Sequence, residues 1–223
     1  MDIDKIIKRV TNILMTPKTE WSVIADEPAT VSDIYKNYIV VLAAIPAIVG
    51  FIQNSLIGHS LFGVTFRTPI GSGLAGMLIS YALTLVSVYV MAVIIDALAP
   101  TFGAQKNRMQ AFKAAAYSWT AGWVAGICLI IPWVGVLFVL AGTLYSIYLL
   151  YLGLQATMKC PPEKTAGYTA LSVVCAIVLS LVMVGVAATI TAPPGVRMVM
   201  EGTPSHMSSD VTFDKNAAWR KQP

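Results

Sequence analysis

GSGLAGMLISYALTLVSVYVMAVIIDAL, residues 71–98, carries no charge until Asp96. At about 1.5 Å per residue this run exceeds the roughly 30 Å of hydrocarbon in a bilayer. A soluble helix has no use for apolar residues on every face over such a length. The run is therefore read as a membrane span. Four more runs have the same character, at 34–57, 112–131, 133–155 and 169–191. Pro132 and Trp133 separate the third from the fourth with almost no loop. Since proline interrupts a helix interior, that junction predicts a tight helical hairpin.

Composition agrees. Mean hydropathy is +0.72, and 57% of residues are hydrophobic against 12% charged, where a soluble domain has about a quarter charged. A water-soluble secreted protein is excluded. The 223 residues hold one bundle, and the links between runs leave no room for a further globular domain. The expected fold is all-α: a polytopic membrane bundle of five transmembrane helices with an N-terminal amphipathic interfacial helix. Its parts are a cytoplasmic region at 1–33, the spans at 34–191 and a flexible tail at 192–223, rich in Pro, Gly, Ser and Thr. The first 33 residues show no short apolar core with a small-residue cleavage site, so the first span is expected to be retained.

The net charge of +4 does not imply nucleic acid as a partner, because the bases lie beside spans and form no clustered patch. Orientation accounts for them. With the amino terminus inside, ten Lys and Arg fall on the cytoplasmic side and five outside, of which four are Arg197, Lys215, Arg220 and Lys221 in the tail. The positive-inside rule then places the carboxyl terminus outside. Tyr117, Trp119, Tyr151 and Tyr168 fall near the inner boundary and Trp133 near the outer one, as an aromatic belt would.

Ile3, Ile6, Ile7, Val10, Ile13 and Leu14 share one helical face, while Asp4, Lys5, Lys8, Arg9 and Asn12 occupy the other. Such a helix rests its apolar side in the headgroups or against the ends of its own bundle. Thr16 and Pro17 supply a cap and first-turn proline for a second short helix, 17–25. Thr30 to Asp33 has capping-box spacing ahead of the first span.

Small and hydroxyl residues recur on one face of the second span, among them Ser80, Thr84 and Ser87. The third carries Gly122 and Gly126, and the fourth Gly135 and Gly142. Between helices in lipid, small faces allow close backbone approach. Intramolecular packing is the first reading of these faces; a homo-oligomer seam and a substrate lane are the alternatives. Asp96 is the one acid well inside a span, and an intramembrane carboxylate is a functional site by default. It sits about one turn from the inner surface, roughly opposite the small-residue stripe, where a cationic partner among Lys106, Arg108 and Lys113 is expected.

No cofactor and no metal are expected. Cys128, Cys160 and Cys175 form no paired motif, and His59 and His206 are the only histidines. Gln53, Asn54, Ser55 and His59 read as a solvated helix end. No Gly-rich phosphate loop is present.

Three strings go beyond composition: residues 12–21, 116–121, and 144–154 with 158–164. In order and spacing they resemble bacterial members of the Yip-one family, named for Ypt/Rab-interacting proteins. The resemblance covers roughly residues 10–191. It implies a five-helix membrane domain with a cytoplasmic amino terminus, acting with partners and having no catalytic residues to carry over. The region before the first span is much shorter here than the cytosolic regions of the eukaryotic relatives.

The functional expectation is a non-enzymatic inner-membrane protein that organises the bilayer or recruits partners. Its expected contacts with anionic lipid are Lys5, Lys8, Arg9, Lys106, Arg108, Lys113, Lys159 and Lys164. The alternative is a small transporter or channel, in a dimer, with Ser80, Thr84 and Ser87 along its path and Asp96 near the inner mouth.

Overall fold

The computed structural model describes residues 3–61, 64–131 and 134–191. The turn at Pro132 and Trp133, His206 and the tail beyond 191 lie outside these.

Helices α1 (Ile3–Met15) and α2 (Pro17–Asp26) form the N-terminal pair. Pro17 opens α2 as its spacing predicts, but Thr16 does not cap it: the Thr16 hydroxyl donates back to the Asn12 carbonyl at 3.1 Å. The first long stretch, Val31–Ile57, is continuous. It is built from α3 (Val31–Ile34), a π-helical turn (Tyr35–Ile39), α4 (Val40–Phe51) and a second π turn (Ile52–Ile57). Thr30 accepts from the Asp33 amide at its start, and Pro46 lies inside α4. A short antiparallel hairpin follows, β1 (His59–Leu61) with β2 (Val64–Phe66), and places His59 opposite Phe66. Helix α5 (Ile70–Leu98) tightens to a 3-10 turn (Ala99–Phe102) around Pro100 and stops at Gly103, whose φ of +70° is left-handed. An L side chain there would be strained. Helices α8 (Val134–Met158) and α9 (Pro162–Thr191) complete the bundle.

Among the described residues, four stretches are long and apolar enough to cross a membrane: Val31–Ile57, Ile70–Phe102, Val134–Met158 and Pro162–Ile190. The third expected span is different. It is divided into α6 (Arg108–Ser118), α7 (Thr120–Ala125) and a 3-10 turn (Gly126–Ile130), with a break at Trp119. Local hydrogen bonding accompanies the break. Ser118 and Thr120 donate to the carbonyls of Ala114 and Tyr117, a back-bonding that bends helices, and Gly122 and Gly126 lower helix propensity just beyond. The broken segment nevertheless follows α8 antiparallel from end to end. The Gln105 amide donates to the Met158 carbonyl at 2.8 Å, and the Gly122 amide donates to the Ser146 hydroxyl at 3.1 Å. At the other end, a Cβ on Gly135 would lie 2.2 Å from the Cys128 carbonyl oxygen.

Close approach recurs at the glycines of these faces. A Cβ on Gly142 would stand 2.5 Å from the Ala125 Cβ, and one on Gly126 would stand 2.9 Å from the Pro46 Cβ. Gly122 is less tight, with Ser146 at 3.5 Å. The deepest packing sits at the end where α1 and α2 dock, with Ile13, Trp21, Ile24, Ile39, Phe112, Leu149, Leu154, Met158 and Tyr168 sealed from solvent.

Candidate functional site at the basic end of the bundle

Trp21 anchors α2. Its ring lies where a Gly153 Cβ would stand, 2.7 Å from Cη2, so only glycine on α8 admits it. Lys113 on α6 then clasps the carboxyl end of α2, donating from Nζ to the carbonyls of Ile24 at 2.7 Å, Ala25 at 3.2 Å and Glu27 at 2.7 Å. A cation on the last carbonyls of a helix is favoured by the helix dipole and by their lack of intrahelical donors. Gln110 adds a bond to the Ala25 carbonyl at 2.9 Å.

Arg9 ties α1 to α2. Its guanidinium donates to Glu20 at 2.5 Å and to Glu27, and it lies 5.9 Å from the centroid of the Tyr117 ring. Burial alone would lower its pKa; Glu27, Tyr117 and Glu20 outweigh that, and the net displacement is upward. Asn12 holds the other Glu20 oxygen at 3.0 Å. Between α1 and the start of the first long stretch runs a groove of about 710 Å³, lined by Lys5, Lys8, Glu27, Asp33 and Asn37 among others.

Two of the expected lipid contacts are therefore corrected. Lys113 is 3% exposed with its ammonium directed onto carbonyls, and Arg9 is held in ion pairs. Neither is offered to a lipid. The remaining bases fare differently. Lys5, Lys8, Lys106, Arg108, Lys159 and Lys164 are exposed, and the bond from Gln105 to Met158 joins the loop carrying Lys106 and Arg108 to the loop carrying Lys159. Lys164 reaches the same place, its Nζ lying 3.8 Å from where a Gly103 Cβ would stand. On α1, Ile6 and Ile13 are buried, whereas Ile3 and Ile7 remain 65% and 58% exposed, so part of its apolar face is uncovered.

Asp96 also departs from expectation. It is 5% exposed and forms no ion pair among the described residues, and its Oδ1 has no hydrogen-bond partner. Of the three expected partners, Lys113 is taken by α2, and Lys106 and Arg108 are exposed and form no ion pair among the described residues. Ser80, Thr84 and Ser87 line an apolar cavity of about 370 Å³ among the long helices; Asp96 does not line it. The expected polar site is thus two separate places. Among the described residues no three of His, Cys, Asp and Glu gather in a group that would hold a metal.

The aromatic belt needs correction as well. Tyr168 is fully buried and donates to the Ile95 carbonyl, and Tyr117 is buried beneath Arg9. Sequence reading missed a set of cross-ties of this kind. Tyr35 donates to the Leu85 carbonyl, Tyr81 to that of Val40 and Tyr145 to that of Leu14, each at 2.8 Å, and Tyr38 pairs with the Thr120 hydroxyl at 2.7 Å. A tyrosine inside an apolar run was the available signal, since a buried phenol needs a partner.

The docked N-terminal pair and the long apolar helices behind it correspond to a known domain. The Yip1 domain matches residues 11–185. The chain belongs to the Yip1 domain family. It is similar to the inner membrane protein YohC of Escherichia coli strain K12, at 26% identity over 166 residues, which is 73% of this chain and 85% of that protein. The protein of the same name from Escherichia coli O6:H1 strain CFT073 matches to the same extent. No solved structure matches. This is a Yip1-family integral membrane protein, and the family match takes in α2, its Lys113 clasp and the long helices, α9 as far as residue 185, but begins within α1 after Arg9.

Proposed function

We propose that this protein is a non-enzymatic, five-pass inner-membrane protein whose basic end faces the cytoplasm and gathers anionic lipid headgroups, organising the bilayer there and offering partners a docking face. The observation that carries this reading is the convergence of two basic loops at one end, joined by the Gln105 to Met158 bond, with Lys106, Arg108, Lys159 and Lys164 exposed and in no ion pair among the described residues. Each base near an anionic surface is worth about 1 kcal/mol. The uncovered Ile3 and Ile7 let α1 sit at the corner between bundle and headgroups.

Five crossings are supported by the antiparallel course of the broken segment along α8, because a segment paired with a span from end to end crosses what that span crosses. An odd number of crossings puts the termini on opposite sides, with the amino terminus inside by the charge rule. A transporter is less well supported: the stripe hydroxyls already donate to their own helix, and Asp96 lies away from the cavity they line.

The test uses full-length protein in nanodiscs containing phosphatidylglycerol and phosphatidylethanolamine. Wild type is expected to enrich phosphatidylglycerol in a salt-sensitive manner, and the quadruple change of Lys106, Arg108, Lys159 and Lys164 to Gln to abolish that enrichment. Equal enrichment in both removes the lipid reading. Terminal reporter fusions found in one compartment remove the five-pass topology.

A further inference from the structure

We propose that the crevice among α5, the break at Trp119, α8 and α9 binds one acyl chain of a membrane lipid, with its ester carbonyl as the polar contact. The cavity of about 370 Å³ that holds the small-residue stripe has a neighbour of about 350 Å³. Both are lined by Met91, Trp119, Thr143, Ala176 and Ser180, so they are two chambers of one crevice with Trp119 at the waist. Each chamber falls within the size range of ligand sites, about 300–1,000 Å³.

Position and chemistry select the occupant. The lining runs from the middle of the long helices toward the basic end, as far as Ile95 and Ala115, and no charged residue contributes to either chamber. An opening at that depth meets lipid tails. The hydroxyls of Ser80, Thr84, Ser87, Thr143 and Ser180 each donate to a carbonyl one turn back on their own helix, at 2.7–3.0 Å. With these hydrogens engaged, the walls solvate methylene groups. A void there would deprive its lining of dispersion contacts, which a hydrocarbon chain restores.

A second, independent feature defines the polar end of the ligand. Trp123 is 6% exposed and lines the first chamber, Trp119 lines both, and neither indole nitrogen makes a hydrogen bond among the described residues or is sealed from open space. Ser146, in the second chamber, accepts from the Gly122 amide and donates to no described residue. Each of the three groups has a hydrogen left to donate. An indole N–H removed from water is satisfied by an acceptor, so the fitting ligand supplies acceptor oxygen and needs no donor. An acyl ester on a long chain has that chemistry; a hydrated ion or sugar does not. Broken helices are tolerated at membrane depth where they line a cavity, which fits the position of the Trp119 break.

The experiment counts lipid. Full-length protein is purified in mild detergent from membranes of phosphatidylethanolamine and phosphatidylglycerol, and retained phospholipid is read by native mass spectrometry. Wild type and Leu181→Phe, a change on an outward face, are expected to retain one phospholipid per chain. Ala176→Phe and Ser180→Leu, which fill the waist by different side chains, are expected to lose it at least fivefold while keeping the wild-type helical signal. Two variants keep the test open if one fails to fold. Equal retention in all folded variants overturns the proposal. So does efficient acrylamide quenching of the Trp119 emission, taken as the difference between wild type and Trp119→Phe, because that places water in the crevice. The outcome is independent of the basic loops, whose headgroup enrichment is read separately.

Discussion

The two ends of the bundle are built on different terms. At the basic end Trp21, Ile24, Phe112, Leu154 and Tyr168 are sealed, whereas toward the other end Val136, Leu137 and Leu140 on α8 and Leu181, Val182 and Val184 on α9 each keep more than half of their surface uncovered. Chain composition is apolar at both. The difference lies in the solvent each part meets. Helices α1 and α2 stand outside the long stretches, where removing Ile13 and Trp21 from water drives them onto the bundle. Farther along, apolar side chains leaving lipid tails gain little by meeting each other, so close contact requires shape. Gly126, Gly135 and Gly142 supply shape where α4, the broken segment and α8 meet. Helix α9 has no such glycine contact at Gly185, where an added Cβ would meet nothing within 4 Å.

The sharpest way to break this contrast is at Trp21. Trp21→Ala empties a fully buried site and is expected to cost about 3–5 kcal/mol, read as a lowered melting temperature in detergent. Gly153→Val attacks the same contact from α8, forcing a side chain into the Trp21 ring, and is expected to cost about 1–3 kcal/mol. Leu181→Ala, at 67% exposure, is expected to stay within about 0.5 kcal/mol. A large loss at Leu181 with little at Trp21 would reverse the picture of a tight basic end and an open far end.

Apolar length was readable directly, because crossing a bilayer imposes one requirement on composition and another on run length; hence residues 71–98 and 169–191 fall inside observed helices. The break at Trp119 was not readable. It depends on Ser118 and Thr120 bonding backward while Gly126 meets Pro46, a contact between segments far apart in the chain. Asp96 and Lys113 show the same limit. Both charges lie near the inner boundary and invite pairing on paper, but the carboxyl end of α2 is a competing acceptor that appears only once α2 has docked. Buried tyrosines read as boundary residues in the sequence because an aromatic belt and an interhelical tie use the same residue in the same place.

Within the basic end, the polar clasps rank below the Trp21 anchor. Lys113→Met removes the donor shared by three carbonyls and is expected to cost about 1–3 kcal/mol, since buried acceptors lose a partner. Arg9→Gln is expected to cost about 1 kcal/mol. Glu20 is 7% exposed and feels the loss, but the Glu27 side chain is 49% exposed and water replaces much of that interaction. Because the Arg9 pKa is raised, its contribution is present below its ordinary value and disappears only in extreme alkali. A melting temperature constant between neutral and mildly alkaline pH in wild type checks that sign.

Within the basic end the smallest effect is expected at the tyrosine ties, and Tyr168→Phe isolates one. Its hydroxyl donates to the Ile95 carbonyl, which already accepts the Ala99 amide at the end of α5. Removing the phenol oxygen therefore leaves no orphaned acceptor. The ring keeps its stack on Phe102, with centroids 5.1 Å apart and planes 11° from parallel. What is lost is one hydrogen bond with its acceptor still satisfied, so the expected cost is at the low end of the usual range, about 0.5 kcal/mol. If Tyr168→Phe instead lowers stability as much as Trp21→Ala does, polar ties rather than the docked N-terminal helices close the basic end, and the contrast between the two ends has a different cause.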